Sequence, residues 1–309
     1  MRLPFVTGVR REKESIIKNS RDIIHFLAVE LGERTIRKYD NLQKARRYIS
    51  DRFIESGVRP VEEKYIADGY EVSNIIAEIK GTEHPEKIIL VGAHYDTIED
   101  TPGADDNASG IAALLEVFRL LAGLQFKKTL RCVAFTLEEP PFFTTELMGS
   151  MVNARNCKKK REKIECMITF EMVGYGHRRC RQDYPINHNH RDFPPCGDYI
   201  SVISLPSYSE YVYLLKKIYN EGAKNKIYEY IGPASVPGMD LSDHGSFIKS
   251  GFPAVMISDT GFYRNKNYHT PGDTFDTINF KFLTETIYDS SRTIGELLDR
   301  ETLLAQHHS

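Results

Sequence analysis

The amino-acid sequence predicts an α/β fold: a helix/sheet/helix sandwich with a mixed, largely parallel central sheet. Two observations predict it. Short apolar runs, which are typical of buried strands, alternate with amphipathic segments of helical spacing through most of the chain. No internal repeat or low-complexity segment interrupts this alternation. The expected architecture is therefore one sheet covered by helices on both faces.

The composition is that of a globular protein and excludes some partners. The chain has 309 residues, of which 41% are hydrophobic and 27% charged, so it can bury a sizeable core. Its length suits one large domain, and we predict a single domain over residues 1–309. The 41 Lys and Arg residues nearly balance the 43 Asp and Glu residues, giving a net charge of -2. We therefore predict no nucleic-acid partner and no membrane partner.

The cysteines and the N-terminal residues indicate the cellular compartment in which the protein is expected. Five cysteines without Cys-x-x-Cys spacing indicate reduced thiols, and neither a disulfide framework nor a thiolate zinc site. The N-terminal residues reach charge before they build the apolar core of a signal peptide, and no stretch approaches the ~20 apolar residues that cross a bilayer. We expect a cytoplasmic protein, although a secreted chain trimmed of its leader would read the same way. The sequence does not indicate an oligomeric state.

Predicted elements follow from apolar spacing. Residues 11–57 have the pattern of two amphipathic helices, so residues 1–60 should pack on the domain as helices. Six apolar runs predict buried strands: Asn74–Ile79, Ile88–Ala93, Leu130–Thr136, Met167–Phe170, Tyr199–Ser204 and Pro253–Ser258. Two further helices are predicted at Gly110–Leu121 and Tyr208–Asn220. Residues 177–197, rich in Arg, His, Asn and Pro, predict a surface excursion.

Polar residues directly after the apolar runs are the candidate site, because ligands of such sheets bind beyond the carboxyl ends of the strands. His94 and Asp96 end one run, and Asp96 could accept the second ring N–H of a metal-ligating His94. Asp105 and Asp106 are adjacent carboxylates before a helix. Helix capping needs only one of them, so at least one is expected to face a cation.

Two adjacent glutamates, Glu138 and Glu139, follow the next run, and two prolines stop the strand there. One can ligate a metal while the other acts as a general base for a metal-bound water. Glu171 ends a further strand, and His269 follows the last core strand. Imidazoles and carboxylates in this combination suit two divalent cations such as Zn²⁺.

These motifs, in this order, resemble the M28 metallopeptidases, the family of co-catalytic zinc aminopeptidases and carboxypeptidases. The resemblance covers roughly residues 75–285 and rests on His94–Asp96, Gly103–Gly110, Glu138–Glu139 with Leu147–Ser150, Phe170–Gly174, Ser242–Phe247 and Tyr268–Thr274. It implies a zinc-exopeptidase-like version of the predicted fold.

The resemblance also implies roles for individual residues. Two Zn²⁺ ions, which Co²⁺ or another divalent ion could replace, would be held by His94 and Glu171, by Glu139 and His269, and by a bridging Asp106. Glu138 would be the general base, and Asp96 would orient His94. Most members have Asp where this chain has Glu171, and secreted members often have Tyr where it has Met239.

The predicted function is a metal-dependent exopeptidase, an aminopeptidase that hydrolyses N-terminal residues from peptides with water activated by two zinc ions. A carboxypeptidase needs a cationic clamp for the terminal carboxylate, and Arg264 is the only basic residue near the final motif that could serve. A glutaminyl-cyclase-like acyltransferase with one catalytic zinc is a further alternative. An inactive interaction domain is disfavoured, because every expected ligand position is filled.

A Cys/His cluster and one further histidine are other candidate metal ligands. A separate zinc site could be built from Cys180, His188, His190 and Cys196, but this spacing matches no common zinc module. His244 lies in the Ser-Asp-His motif, which the resemblance places beside the site as support, so we predict that it is not a ligand.

Overall fold

A computed structural model describes residues 9–184 and 194–304. An eight-stranded sheet in the order β1-β2-β4-β3-β5-β10-β8-β9 forms its centre. The strands are β1 Val61–Ala67, β2 Tyr70–Ile79, β3 His84–His94, β4 Lys128–Phe135, β5 Lys163–Glu171, β8 Ile200–Ser204, β9 Ile227–Ile231 and β10 Ala254–Ser258. Two short strands, β6 His177–Arg181 and β7 Cys196–Gly197, form a separate pair.

Helices cover both faces of the sheet. They are α1 Val9–Ile24 with a π-helical continuation His25–Leu31, α2 Tyr39–Glu55, α3 Gly110–Leu121, α4 Gly149–Lys159, α5 Ser209–Asn220, α6 Asp243–Lys249 and α7 Phe280–Asp299. Helices α1, α3, α5 and α7 contact one another in one layer, and α4 contacts α6 in the other. None of the described helices is both long and apolar enough to span a bilayer.

The central strands explain where the site lies. Strand β3 pairs in parallel with both β4 and β5, and β10 pairs in parallel with β5. Antiparallel pairings attach β2 to β4 and β8 to β10, so the sheet is mixed around a parallel centre. The predicted fold class is confirmed. Because the four central strands run in one direction, their carboxyl ends meet at one edge.

The sequence patterns missed the two edge strands. In β1, most residues are exposed or half-buried and charged residues are frequent, as expected for an edge strand. The hairpin from β1 to β2 turns at Asp68 and Gly69, which have φ angles of 47° and 84°. Asp-Gly is a dipeptide that this tight turn favours. The edge strand β9 is short and half-buried.

The described part of the segment 177–197 is not wholly exposed. Strands β6 and β7 pair there, and Gln182 beyond β6 is only 6% exposed. The amide of Gln182 donates a hydrogen bond to Thr260 Oγ1 at 2.9 Å, which fastens this segment to the loop after β10. Two members of the alternative Cys/His zinc site, His188 and His190, lie outside the described residues.

Candidate metal centre

The side chains predicted as ligands lie together at the carboxyl edge of the sheet. His94 is the last residue of β3 and Glu171 the last of β5, while Glu139 follows β4. Asp106 lies in the turn before α3, and His269 comes from the loop before α7. Potential ligand atoms of His94, Asp106 and Glu171 lie within 4.8 Å of one another, and so do those of Asp106, Glu139 and His269.

Asp106 belongs to both groups through different oxygens. Its Oδ1 lies 3.4 Å from His94 Nε2, and its Oδ2 lies 3.2 Å from His269 Nε2. Glu171 Oε2 is 3.4 Å from the same His94 nitrogen, and Glu139 Oε1 is 3.3 Å from the same His269 nitrogen. The carboxylate of Asp106 is thus placed between two sites, each with one histidine and one further glutamate.

Glu138 lies beside these groups and in neither of them. Its Oε2 is 3.9 Å from His94 Nε2, and its side chain borders the adjoining cavity. The neighbouring Glu139 reaches His269 instead. The two adjacent glutamates therefore occupy different positions, one among the potential ligands and one next to them.

Asp96 makes one contact that the sequence predicted and two that it did not. Its Oδ1 lies 3.4 Å from His94 Nδ1, the ring nitrogen that faces away from the other carboxylates. Its two oxygens also accept the backbone N–H groups of Glu138 and Glu139, each at 3.0 Å. One buried carboxylate thus lies beside the ring of His94 and holds the backbone of the glutamate turn after β4.

The turn that carries Asp106 is held by residues to which the sequence assigned no role. Asp273 accepts the backbone N–H groups of Asp105 at 2.9 Å and Asp106 at 3.0 Å. The carboxylate of Asp105 points the other way and accepts from Gly174 N at 2.9 Å and Asn265 Nδ2 at 2.9 Å. Of the two adjacent aspartates, one faces the histidines and the other fastens the turn.

Asn107 joins this turn to the end of β5. Its amide oxygen accepts the backbone N–H groups of Gly110 and Met172, both at 3.1 Å, and its amide nitrogen donates to Phe170 O at 2.9 Å. A Cβ atom at Gly110 would lie 2.2 Å from Asn107 Oδ1 and 2.6 Å from Phe170 O, so only glycine fits. The small residues of the motif allow the backbones to approach this closely.

Carboxylates outnumber the groups that neutralise them. They are Asp106, Glu138, Glu139, Glu171 and Asp243. Among the described residues, all ion pairs of this set involve histidine. Burial raises the pKa of Glu139 to about 7 and that of Glu138 well above its usual value. Asp243 is fully buried, neither of its oxygens accepts a hydrogen bond, and burial raises its pKa to about 7.

The histidines respond to this negative charge. Burial by itself would lower the pKa of His94, but Glu171 and Glu138 outweigh burial and raise it well above its usual value. Hydrogen bonds to Asp106 and Glu139 likewise overcome burial and raise the pKa of His269 to about 10. Imidazole and carboxylate donors at this spacing fit divalent cations such as Zn²⁺, which would neutralise the buried charge.

A cavity of about 250 Å³ adjoins the centre. Carboxylates line one end, and its apolar walls include Ile203, Met239 and Met256. Met239 thus borders the cavity, and its carbonyl accepts a hydrogen bond from His244 Nε2 at 2.9 Å. His244 belongs to neither ligand group. Ser242 Oγ donates to Glu171 Oε2 at 2.6 Å and so fixes the glutamate of the first group.

Arg264 is not placed to clamp a terminal carboxylate. It is 2% exposed and does not border the cavity. Its guanidinium donates to Gln182 Oε1 and to Tyr199 O, both at 2.8 Å, and lies over the Tyr199 ring. Among the described residues that line the cavity, none is a lysine or an arginine.

Relatives of this chain are peptidases by name where their names give an activity. A probable leucine aminopeptidase of Arthroderma otae is 27% identical over 274 residues, covering 83% of this chain and 64% of that protein. A protein of Escherichia coli K12 named "Uncharacterized protein YfbL" is 35% identical over 273 residues, which cover 85% of this chain and 83% of that protein.

Solved structures share the fold at low sequence identity. The zinc aminopeptidase BSAP of Bacillus subtilis superposes with a TM-score of 0.73 at 15% identity, covering 92% of this chain and 96% of that one. A glutaminyl cyclase of Porphyromonas gingivalis gives 0.65 at 21% identity, covering 91% and 98%. The family model described as peptidase family M28 matches residues 74–290, a span that contains all of the predicted ligands. This chain belongs to peptidase family M28.

Proposed function

We propose that this protein is a metal-dependent aminopeptidase that removes N-terminal residues from peptides. The observation that carries the proposal is the pair of ligand groups that share Asp106, with the unshared carboxylate of Glu138 beside them. His94 and Glu171 would complete one metal site, and Glu139 and His269 the other. When bound, two Zn²⁺ ions would polarise the substrate carbonyl and lower the pKa of water.

Glu138 is the proposed general base. It borders the cavity, and burial raises the pKa of its carboxyl, which increases its affinity for a proton. It would accept a proton from the attacking water and return that proton to the leaving amine. Asp96 holds the backbone N–H of Glu138 at 3.0 Å and so keeps the base in place between the two transfers.

The cavity favours the amino end of a peptide as substrate. At the end of the cavity that borders the ligand groups, a bound metal ion or a carboxylate such as Glu138 would give a free α-amine a partner, without which an amine is costly to bury. The apolar wall suits an apolar first side chain. Without a lysine or arginine among the described lining residues, a terminal carboxylate would lack a partner. This contrast supports an aminopeptidase over a carboxypeptidase.

Matched peptides test the proposal. We would measure release of the first residue by mass spectrometry from a leucine-first peptide with a free amine and from its N-acetylated copy. We expect acetylation to lower kcat/KM at least ~100-fold, or roughly 2.7 kcal/mol of transition-state binding. The Glu138→Gln protein, prepared in parallel, controls for contaminating peptidases.

Other outcomes identify the alternatives. Near-equal cleavage of blocked and free peptides would contradict the aminopeptidase assignment and indicate a carboxypeptidase or endopeptidase. Release of ammonia from N-terminal glutamine without peptide cleavage would indicate a cyclase. The number of bound ions separates that case as well, because the cyclase alternative needs one catalytic zinc.

A further inference from the structure

Arg34 lies in the N-terminal part of the chain, outside the residues that the family model matches. It follows the π-helical turn and is fully buried. Its Nη1 donates to Leu27 O and Gly32 O, both at 2.9 Å. These bonds fix the guanidinium against the end of the N-terminal helical segment.

The same guanidinium reaches the strand that presents the first histidine. Arg34 Nε donates to Tyr95 O at 2.8 Å. Tyr95 is the residue between His94, a proposed ligand, and Asp96, which holds the glutamate turn. The backbone reinforces this contact, since Arg34 N donates to Thr97 Oγ1 at 3.0 Å. A shift of Arg34 would therefore move the segment that aims His94.

The guanidinium also holds the approach to the bridging aspartate. Nη1 also donates to Pro102 O at 2.8 Å, so that its two N–H groups are shared among three carbonyls, and Nη2 donates to Gly103 O at 3.0 Å. Gly103 has a φ angle of 60°, and a Cβ atom there would lie 2.5 Å from Asp106 O and 2.9 Å from Arg34 Nη2. Arg34 and the turn carrying Asp106 are thus in close contact at a position that requires glycine.

The hydrogen-bond partners of the Arg34 side chain are backbone carbonyls, so its positive charge is not paired in direct contact. Burial lowers its pKa to about 10, and the carboxylates that favour its charge are those of Asp96, Asp273, Asp106 and Glu139. A guanidinium has a planar fork of five N–H donors, whereas a lysine ammonium is a point charge with three. At this position Nε, Nη1 and Nη2 each donate to a different carbonyl, an arrangement that the planar guanidinium matches and a lysine ammonium does not.

We propose that Arg34 is a positioning residue for the metal centre, which sets the separation of His94 and Asp106 by binding both of their backbone segments to the N-terminal helical unit. This role rests on the ligands assigned under the proposed function. Arg34 does not border the cavity, so it acts through the backbone and not on the substrate.

Metal affinity tests the role directly. Zn²⁺ dissociation constants would be measured by competition with a chromophoric chelator for the wild type, Arg34→Lys and Arg34→Gln, with folding checked by circular dichroism. The matched control is Arg292→Lys, because Arg292 also donates to backbone carbonyls, Ile218 O at 3.0 Å and Tyr219 O at 2.5 Å, between α7 and α5. We expect at least ~10-fold weaker binding of one ion or both in Arg34→Lys, as is typical when outer partners of ligands are lost.

The Arg34→Gln variant and the Arg292→Lys control distinguish the remaining outcomes of this experiment. Arg34→Gln should weaken binding at least as much as Arg34→Lys, and it replaces Arg34→Lys if that protein does not fold. Arg292→Lys should bind Zn²⁺ within about two-fold of the wild type, because it contacts no segment that carries a ligand. Equal affinities in the Arg34 variants and the control would overturn the role. If the wild type binds no divalent ion, the proposed function fails, and this role fails with it.

Discussion

Two clusters of charged side chains in this protein, one half-buried and one buried, differ in how the charge is balanced. In the first, Arg131 of β4 donates to Glu78 Oε1 at 2.7 Å and also pairs with Glu162. Hydrogen bonds from Lys80 and Arg131 lower the pKa of Glu78 despite its partial burial, and the hydrogen bond from Arg131 lowers that of Glu162. In the metal centre, histidines are the only ion-pair partners of the carboxylates among the described residues, and burial raises the pKa of Glu138 and Glu139.

The difference separates a structural ion cluster from a site that needs a ligand. The Arg131 cluster carries its own counterions, Arg131 and Lys80, so folding alone balances its two carboxylates. Carboxylates without enough cations keep a desolvation cost that protons or bound metal ions must offset. The presence or absence of lysine and arginine partners therefore distinguishes the two clusters, and the predictions below act on one cluster or the other.

Removal of metal should have the largest effect. We expect purified protein to contain close to two divalent ions per chain and a chelator to abolish peptidase activity, because the proposed function depends on the ions. Zn²⁺ or Co²⁺ should restore it. Metal analysis and reporter-substrate assays check both statements. Full activity after exhaustive demetallation would contradict the prediction.

Exchange of single glutamates should separate base from ligand. Glu138→Gln should retain most of the metal and lower turnover at least ~100-fold, since it removes proton transfer and not coordination. Glu139→Gln should lose metal as well. Metal content and residual rate are measured on both proteins, and identical results for the two variants would refute the division of roles.

Breaking the balanced cluster should affect stability and not metal. Arg131→Met leaves Glu162 without its ion-pair partner and Glu78 paired with Lys80, and loss of the charged hydrogen bonds in this half-buried cluster should cost about 2 kcal/mol of unfolding free energy. Urea denaturation measures this loss, while zinc content should stay at the wild-type value. A drop in zinc content equal to that of Glu139→Gln would show that the two clusters are not independent.

The smallest effect concerns the pH dependence of the metal-free protein. Glu139 has its pKa raised from 4.5 to about 7, and His269 has its pKa raised from 6.5 to about 10. In these intervals the folded chain binds more protons than the unfolded chain, so its stability should fall as pH rises from roughly 5 to 10. The lowered pKa of Glu78 has the opposite effect on stability: the stabilisation that its charged form provides is lost as pH falls below 4.5.

With metal bound, the trend in the centre should reverse, because metal ligands must be deprotonated and acid releases the ions. Thermal unfolding of metal-free and zinc-loaded protein at several pH values checks the two slopes. A metal-free protein whose stability rises steadily from pH 5 to 10 would contradict the proposed excess of buried negative charge.

The sequence by itself determined the fold class and predicted which polar residues gather at the strand ends. An apolar run predicts a buried strand because all the residues that make the strand apolar stand in one short stretch of sequence. Polar residues such as His94 and Glu171 mark where these strands end. The strand order that makes those ends neighbours was inferred from the fold type. Peptidase family membership was likewise readable from motifs, whereas the ligand roles of these residues stay a proposal.

Only the tertiary structure decided what holds the site in place. The bonds from Asp273 to Asp105 and Asp106 join residues 168 and 167 positions apart, and the bond from Arg34 to Gly103 spans 69 positions. From the sequence, Arg264 was a candidate to bind the terminal carboxylate of a substrate. In the folded chain its guanidinium instead donates hydrogen bonds to Gln182 and to the carbonyl of Tyr199. Local patterns report which face of an element is buried. Partners that meet only after the sheet has formed leave no such pattern, because their hydrogen bonds depend on distances that folding alone establishes.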